Sequence, residues 1–450
     1  QANRLASSII NTTLIMMIGL TILAYIFIDP LVHAIAPGFS GQIFNQTRLF
    51  TSIFLLSPVL LTMSSIVSSM LNTQKRFTLV AVAPVIYNLS IILGALWLYP
   101  KFGPVGLAWG VVIGALLHFM VQLPQIFRLG FKFSFTIYPD SGFIKFWKLY
   151  WPRIFSMGTE QVTALIATVF GSFLGSGALA VFYYANNLQS VALGLFAVSF
   201  AIAVFPLLSD LYNQKDQQGF KDVLAKTTVQ ILFFVIPISI LLLVLRAQVV
   251  RLVLGIGQNT SFTFSDTKMV AQALGLFSIS LFAQALIPLF NRAFYAIQNT
   301  LVPVVIGFIT IAVNIALTFW LTRSHGVPGM ALAFSITSVL NLLLLLVELH
   351  YKLGNIQDEY VIISCLKIII SALVAGTAAF VSLYLISPLV SLTVYWGVLI
   401  QGLGAAAVGV IFYFMVGWML GLPEAHHLIR LFRTTAQKIG RPINIIWNWK

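Results

Sequence analysis

Charge is scarce in this chain. Only 8% of its 450 residues are Asp, Glu, Lys or Arg, against about 25% in soluble globular proteins. So small a share cannot clothe a water-soluble fold of 49.6 kDa, and a mean hydropathy of +0.98 agrees. Cysteine is scarcer still: Cys365 is the only one and sits in an apolar stretch, which excludes a disulfide scaffold or a thiolate metal cluster. The start of the chain has no secretory signal pattern. There is no Walker motif, no glycine-rich loop after a strand, and no Ser/His/Asp set in a plausible order. The six histidines show no metal-ligand spacing, and His426-His427 flank the tail at the membrane interface. An enzyme is a poor reading, and no metal or resident cofactor is implied. Energy for transport would come from an ion gradient or the membrane potential.

What is abundant is apolar sequence, at 59% of residues. A transmembrane helix needs about 20 such residues. About twelve stretches qualify: 5–28, 46–70, 78–99, 104–128, 146–173, 177–208, 224–247, 268–296, 301–322, 326–350, 360–387 and 391–421. A membrane barrel would alternate in segments of about 10 residues, whereas these runs are continuous. The chain therefore reads as an all-α polytopic membrane protein.

The net charge of +14 would suggest nucleic acid in a soluble protein. In a membrane protein, Lys and Arg gather in cytoplasmic loops instead. About sixteen of the 25 basic residues fall on the side of the N-terminus, among them Lys75, Arg76, Arg128, Lys215 and five in the tail. About five, Lys101, Arg246, Arg251, Lys268 and Arg323, fall opposite. Both termini are expected in the cytoplasm. Arg48, Arg153, Arg292 and Lys367 lie within or at the edge of spans.

The chain also repeats itself. Residues 71–130 carry Leu71-Asn72-Thr73, Asn88, Gly103-Pro104-Val105-Gly106, His118 and Gly130; residues 297–354 carry Gln298-Asn299-Thr300, Asn314, Gly326-Val327-Pro328-Gly329, Asn341 and Gly354. Ordered agreement of polar and Gly/Pro punctuation marks a duplication, the pattern of secondary transporters whose site lies between two halves. Spans 5–128 pair with 224–350, which leaves 146–208 without N-terminal partners and predicts two further helices before Gln1.

Specific residues then resemble one family. Tyr183-Tyr184-Ala185-Asn186-Asn187-Leu188, Gly194-Leu195-Phe196-Ala197-Val198 and Phe205-Pro206-Leu207-Leu208-Ser209 are similar to a signature of the MurJ (MviN) lipid II flippases. So are Ala36-Pro37-Gly38-Phe39, Leu71-Asn72 with Arg76-Phe77, Ala83-Pro84 and Asn88, and Arg292-Ala293-Phe294-Tyr295-Ala296 with Thr300 and Pro303. The resemblance implies a MOP-superfamily exporter of fourteen helices, two six-helix lobes plus two C-terminal helices. The substrate it implies is undecaprenyl-diphosphate-linked peptidoglycan precursor, flipped across the bacterial inner membrane by alternating access. On that pattern 1–130 is an N-terminal lobe lacking two helices and 131–354 a C-terminal lobe. Residues 355–421 are two extra helices offering a lipid-tail groove, and 422–450 a basic cytoplasmic tail. Departures exist: Ala185-Asn186-Asn187 replaces the usual Ala-Asp-Arg, Gln230 stands where a cavity arginine is common, and the family's arginine-rich first helix is not in the chain.

Candidate residues follow. Arg153 and Glu160 share a helix face two turns apart. Arg153 either snorkels to the headgroups or meets the substrate; Glu160 reads as a cation ligand, a proton carrier or the partner of an arginine. Arg292 is either a positive-inside anchor or a phosphate contact, since a guanidinium binds phosphate with two prongs. Asn186, Asn187 and Gln230 complete the expected substrate set. Arg48 reads as an interfacial anchor, and Lys367 as snorkelling or as neutralising a lipid phosphate. Asn88 and Asn314 read as interhelical hydrogen bonds, worth about 0.6 kcal/mol each. The resemblance adds a coupling-ion site for Na+ or a proton at Glu160, Asn314 and Thr318, although Thr318 stands where sodium-binding members carry an acid. Partners would be the anionic lipid precursor and membrane lipids, with the chain acting as a monomer, alone or beside cell-wall synthesis machinery. The alternatives are another MOP transporter, for O-antigen-type lipids or drugs and cations, and a non-transporting membrane scaffold.

Overall fold

The computed structural model describes residues 2–135, 137–139, 141–175, 177–255 and 264–426, with backbone alone at 2, 141, 145 and 148–160. Every regular element among these residues is helical. Nine helices there are long and apolar enough to span a membrane, or ten if the bent pair Phe264–Ile279 and Leu281–Ala296 makes one span. The all-α polytopic class is as composition predicts; the count of twelve is not matched one for one. Residues 301–353 form two helical arms that meet at Gly326, whose φ of 59° and ψ of −135° are not helical. The Ser141–Ser172 helix shows a described apolar stretch only at Gln161–Ser172.

The helices pack as two compact units, Gln1–Gly175 and Ser176–Lys450. In the first, Thr78–Leu93 and Pro104–Met120 cross closely because glycines meet there. A Cβ on Gly94 would stand 2.8 Å from the Cα of Gly110, and Ser90 Oγ donates to the Gly110 carbonyl at 3.2 Å. Small residues let helix backbones approach where apolar burial gives no preference over lipid. Gly38 of the Ala36–Phe39 turn is pinned likewise: its N–H donates to Ser172 Oγ at 2.9 Å, and a Cβ would stand 2.5 Å from the Ser172 backbone. Arg48, expected as an anchor, pairs with Asp29 at 2.6 Å on an exposed surface. The irregular stretch after Gly130 is fastened to the Ala2–Ile26 helix, where Ser7 and Ser8 accept from the N–H groups of Ser134 and Tyr138 at 3.1 and 2.8 Å.

The second unit has the larger buried core, centred on Phe233, Leu281, Leu289, Phe294 and Leu345. Its C-terminal hairpin, Asp358–Ile386 and Tyr395–Met419, is tied to the Gln217–Leu254 helix by polar clasps. Tyr413 OH donates to the Phe233 carbonyl at 2.6 Å and Arg251 to the Leu392 carbonyl at 2.6 Å.

The duplication has a backbone counterpart in each unit. Lys75 and Gln298 both take left-handed φ, 56° and 59°. The next N–H, of Arg76 or Asn299, reaches back five residues to the Leu71 or Phe294 carbonyl at 2.9 Å in both. Gly103 and Gly326 repeat at the same spacing with φ 61° and 59°. Gly106 and Gly329 then press on the carbonyls of Leu98 and Leu321, where a Cβ would collide. Each pair is 223 residues apart. In that register Asn88 stands opposite Ile311, not Asn314, so the match of the two amides in the sequence is out of step by three residues.

Candidate functional site

The second unit contains a broken helix, and polar side chains collect at the break. Phe264–Ile279 and Leu281–Ala296 meet at Ser280 with a bend of 48°. The Ser280 N–H bonds the Phe277 carbonyl at 3.1 Å, three residues back, which leaves the Leu276 carbonyl without its usual helical donor. Ser335 Oγ donates to it at 2.9 Å. The Ser278 carbonyl, just before the break, accepts from Ser239 Oγ on the Gln217–Leu254 helix. An unmet backbone group costs several kcal/mol in hydrocarbon by most estimates, so these serines make the break tolerable.

From the break a directed chain of hydrogen bonds runs outward. Ser280 Oγ donates to Ser335 Oγ at 3.0 Å. Gln284 donates one amide hydrogen to Ser280 Oγ at 2.9 Å and the other to Gln189 Oε1 at 3.1 Å. Gln189 returns a bond to Gln284 Oε1 at 3.2 Å and gives its second to Asn186 Oδ1 at 3.1 Å. Both hydrogens of each glutamine are thus committed. Asn186 ends the chain half-buried, with its own amide N–H groups still to give.

The expected substrate residues fall differently around this chain. Asn186 belongs to it. Asn187, one position on, is exposed, and Gln230 is exposed on the Gln217–Leu254 helix. Arg292 lies on the Leu281–Ala296 helix two turns beyond Gln284, half-buried, with Nη1 donating to the Pro288 carbonyl at 3.3 Å. No carboxylate pairs with it among the described residues. The side chains of Arg153 and Glu160 lie outside the described residues. Asn314, 6% exposed, donates to Thr337 Oγ1 at 3.0 Å, and Asn341 to Thr310 Oγ1 at 3.3 Å. Both bonds join the two arms of the 301–353 hairpin, and Thr318 is buried on the same arm as Asn314. Gln189, Gln284, Ser280 and Ser335 are not among the residues the sequence singles out, because their partners lie 55 to 95 residues away along the chain. A glutamine in mid-span was the available signal.

Beside the break lies an apolar cavity of about 380 Å³. Leu232, Ile236 and Ile240 form one wall, Phe282, Leu286 and Phe290 another, and Val361, Cys365 and Ile369 of the C-terminal hairpin a third.

The model of the lipid II flippase MurJ family matches residues 1–422. The chain belongs to that family. A probable lipid II flippase MurJ of Buchnera aphidicola is 29% identical over 85% of this chain and 75% of its own length. One of Vibrio cholerae is 30% identical over 65% of this chain and 56% of its own length. Among solved structures, a lipid II flippase MurJ in an inward closed conformation aligns with a TM-score of 0.77 and 28% identity, covering 93% of this chain and 84% of that one. A MATE-family multidrug resistance transporter of the MOP superfamily, in an inward-facing conformation, shares the fold at TM-score 0.67 and 15% identity. The family is one of transporters rather than catalysts, and this member is a multi-pass membrane protein.

Proposed function

We propose that the chain translocates lipid II across the bacterial inner membrane by alternating access. The carrying observation is the family match over residues 1–422. The broken helix lends it support, because interrupted helices form the ligand sites of secondary transporters. A diphosphate on a polyprenyl carrier needs cationic or N–H donors at its head and apolar surface along its tail. Arg292 keeps most of its guanidinium donors for the head, with Asn186, Asn187 and Gln230 as neutral partners and Arg153 as a second cation. The cavity lined by Val361, Cys365 and Ile369 suits part of the tail. Coupling to Na+ or protons through Glu160, Asn314 and Thr318 belongs to the same reading, as does the absence of catalysis by the chain itself.

The gene that encodes this chain, expressed in a bacterium depleted of its own lipid II flippase, is expected to restore growth and clear lipid II from the inner leaflet. Correctly inserted protein that leaves lipid II inside would overturn the proposal. The charge asymmetry supports a topology with both termini in the cytoplasm. A cysteine at Gly41 should then react with an impermeant reagent applied outside, and one at Lys215 should not.

A further inference from the structure

The first unit holds a polar cluster that transport, as described above, does not use. Ser64 and Ser68 lie on the Leu56–Thr73 helix; His118 lies in the last turn of the Pro104–Met120 helix, and Gln122 follows that helix. Ser64 Oγ lies 2.7 Å from His118 Nδ1 and 3.2 Å from the His118 carbonyl. Gln122 donates to Ser64 Oγ at 2.8 Å and to the His118 carbonyl at 3.0 Å, while its own oxygen accepts from Ser68 at 2.7 Å. Ser64 and Gln122 are fully buried; His118 is half-buried.

We propose that His118, with Ser64 and Gln122, forms a reversible proton-binding site in the first unit. The hydrogen-bond bookkeeping permits both charge states without moving a heavy atom. Neutral His118 can accept the Ser64 hydroxyl hydrogen at Nδ1. When Nδ1 carries a proton it donates to Ser64 Oγ, and the Ser64 hydrogen turns to the His118 carbonyl 3.2 Å away. Gln122 holds the Ser64 oxygen in place in both states. An imidazole is the side chain whose charge changes between about pH 5 and 8. A proton taken up here puts a charge at the seam between two helices inside a largely apolar unit.

The surroundings carry little competing charge. Leu56–Thr73 has no titratable side chain. Thr78–Leu93 presents Tyr87, its ring edge-on to the imidazole at 6.3 Å between centroids. Gly41–Phe54, which also packs on the His118 helix, offers Arg48, already paired with Asp29. Tyr99, Lys101 and Arg128 sit on the short helices beyond either end of the His118 helix. In the second copy of the repeat Asn341 takes the place of His118 and bonds Thr310, which takes the place of Tyr87. Ile287 and Leu345 stand there where the first copy has Ser64 and Gln122, so the titratable cluster belongs to the first copy alone.

The inference rests on the transporter reading only for its consequence; proton binding itself is read without transport. In purified protein with labelled histidines, the imidazole resonance missing from His118→Asn is expected to shift between pH 5 and 8.5. A resonance that stays fixed over that range overturns the site. His118→Asn copies the residue the chain itself uses at Asn341, so it should fold. Ser64→Ala is expected to move the midpoint of the same titration, and an unmoved midpoint removes Ser64 from the site. In vesicles with lipid II, transport by the wild type should change severalfold across this range, and the His118→Asn profile should lose the part of that change centred on the resonance midpoint. Equal profiles for the two proteins would refute a role in transport while leaving the resonance measurement to decide the site.

Discussion

In each copy of the repeat a left-handed glycine turns the chain, and three residues later a second glycine presses on a backbone carbonyl: Gly103 and Gly106 in one, Gly326 and Gly329 in the other. The polar side chains between these fixed points do not correspond. The first copy sets Tyr87 against His118 and leaves Asn88 exposed, bonded to the Pro84 carbonyl of its own helix at 3.0 Å. The second joins its arms through Asn341 to Thr310 and through a buried Asn314 to Thr337. Backbone approach leaves no choice of residue, because a Cβ either fits or collides. A polar contact inside a membrane can be met by any pair of groups with matching donors and acceptors. Duplicated halves can therefore keep one scaffold while their interiors diverge.

The comparison breaks hardest at the glycines. Gly106→Ala and Gly329→Ala each push a methyl into a backbone carbonyl, which no side-chain rotation relieves. Overpacking costs about 1–3 kcal/mol, and both variants belong at the upper end. Thermal unfolding in detergent should show similar losses, with Gly19→Ala, where a Cβ meets nothing within 4 Å, unchanged. If only one of the pair suffers, the two backbones are less alike than the shared turn implies.

Charge sharpens the contrast next. In the 223-residue register Arg292 stands opposite Ser69, so this cation belongs to one copy alone. Removing a charge-assisted hydrogen bond costs about 1.5–3 kcal/mol. Arg292→Ala should thus slow lipid II flipping about tenfold to a hundredfold. Arg292→Lys should recover only part, because an ammonium lacks the two-pronged geometry. Lipid II binding to the purified variants separates loss of the phosphate contact from loss of folding. Wild-type binding and flipping by Arg292→Ala would reduce Arg292 to a positive-inside anchor.

Length, apolarity and Gly/Pro punctuation made the helical membrane fold and its duplication legible, since these features act locally. The break at Ser280 was not legible. No proline or glycine marks it, and what makes it tolerable comes from Ser335 and Ser239, 55 residues after it and 39 before Ser278. The pairing of Gln189 with Gln284 is hidden for the same reason, the two being 95 residues apart. Asn88 and Asn314 misled through likeness of side chain, where the register is set by turns. Arg292 lies on the Leu281–Ala296 helix, and its role depends on a ligand no side-chain pattern reveals.

The smallest effect is the most direct test of that register. If identity of side chain defined equivalence, Asn88 and Asn314 would contribute alike. The turns instead place Asn88 opposite Ile311, exposed and bonded within its own helix, where alanine removes a bond to a carbonyl that the helix already occupies. Asn88→Ala should therefore leave unfolding within error of wild type. Asn314→Ala removes a bond between two arms, and such bonds average about 0.6 kcal/mol with a maximum near 1.7. Thr337 keeps the bond its hydroxyl donates to a carbonyl of its own helix, Ala333 at 2.9 Å or Phe334 at 3.0 Å, and loses only a donor to its oxygen, so the loss should sit near the average. A double-mutant cycle of Asn314→Ala with Thr337→Ala isolates the pair. Coupling near 0.6 kcal/mol with no cost at Asn88 supports the backbone register. Equal costs at the two asparagines would restore the side-chain match and undo the 223-residue equivalence in the first arm. A sodium-dependent change in Asn314→Ala transport, beyond the stability loss, would assign the amide to ion coupling as well as to the hairpin.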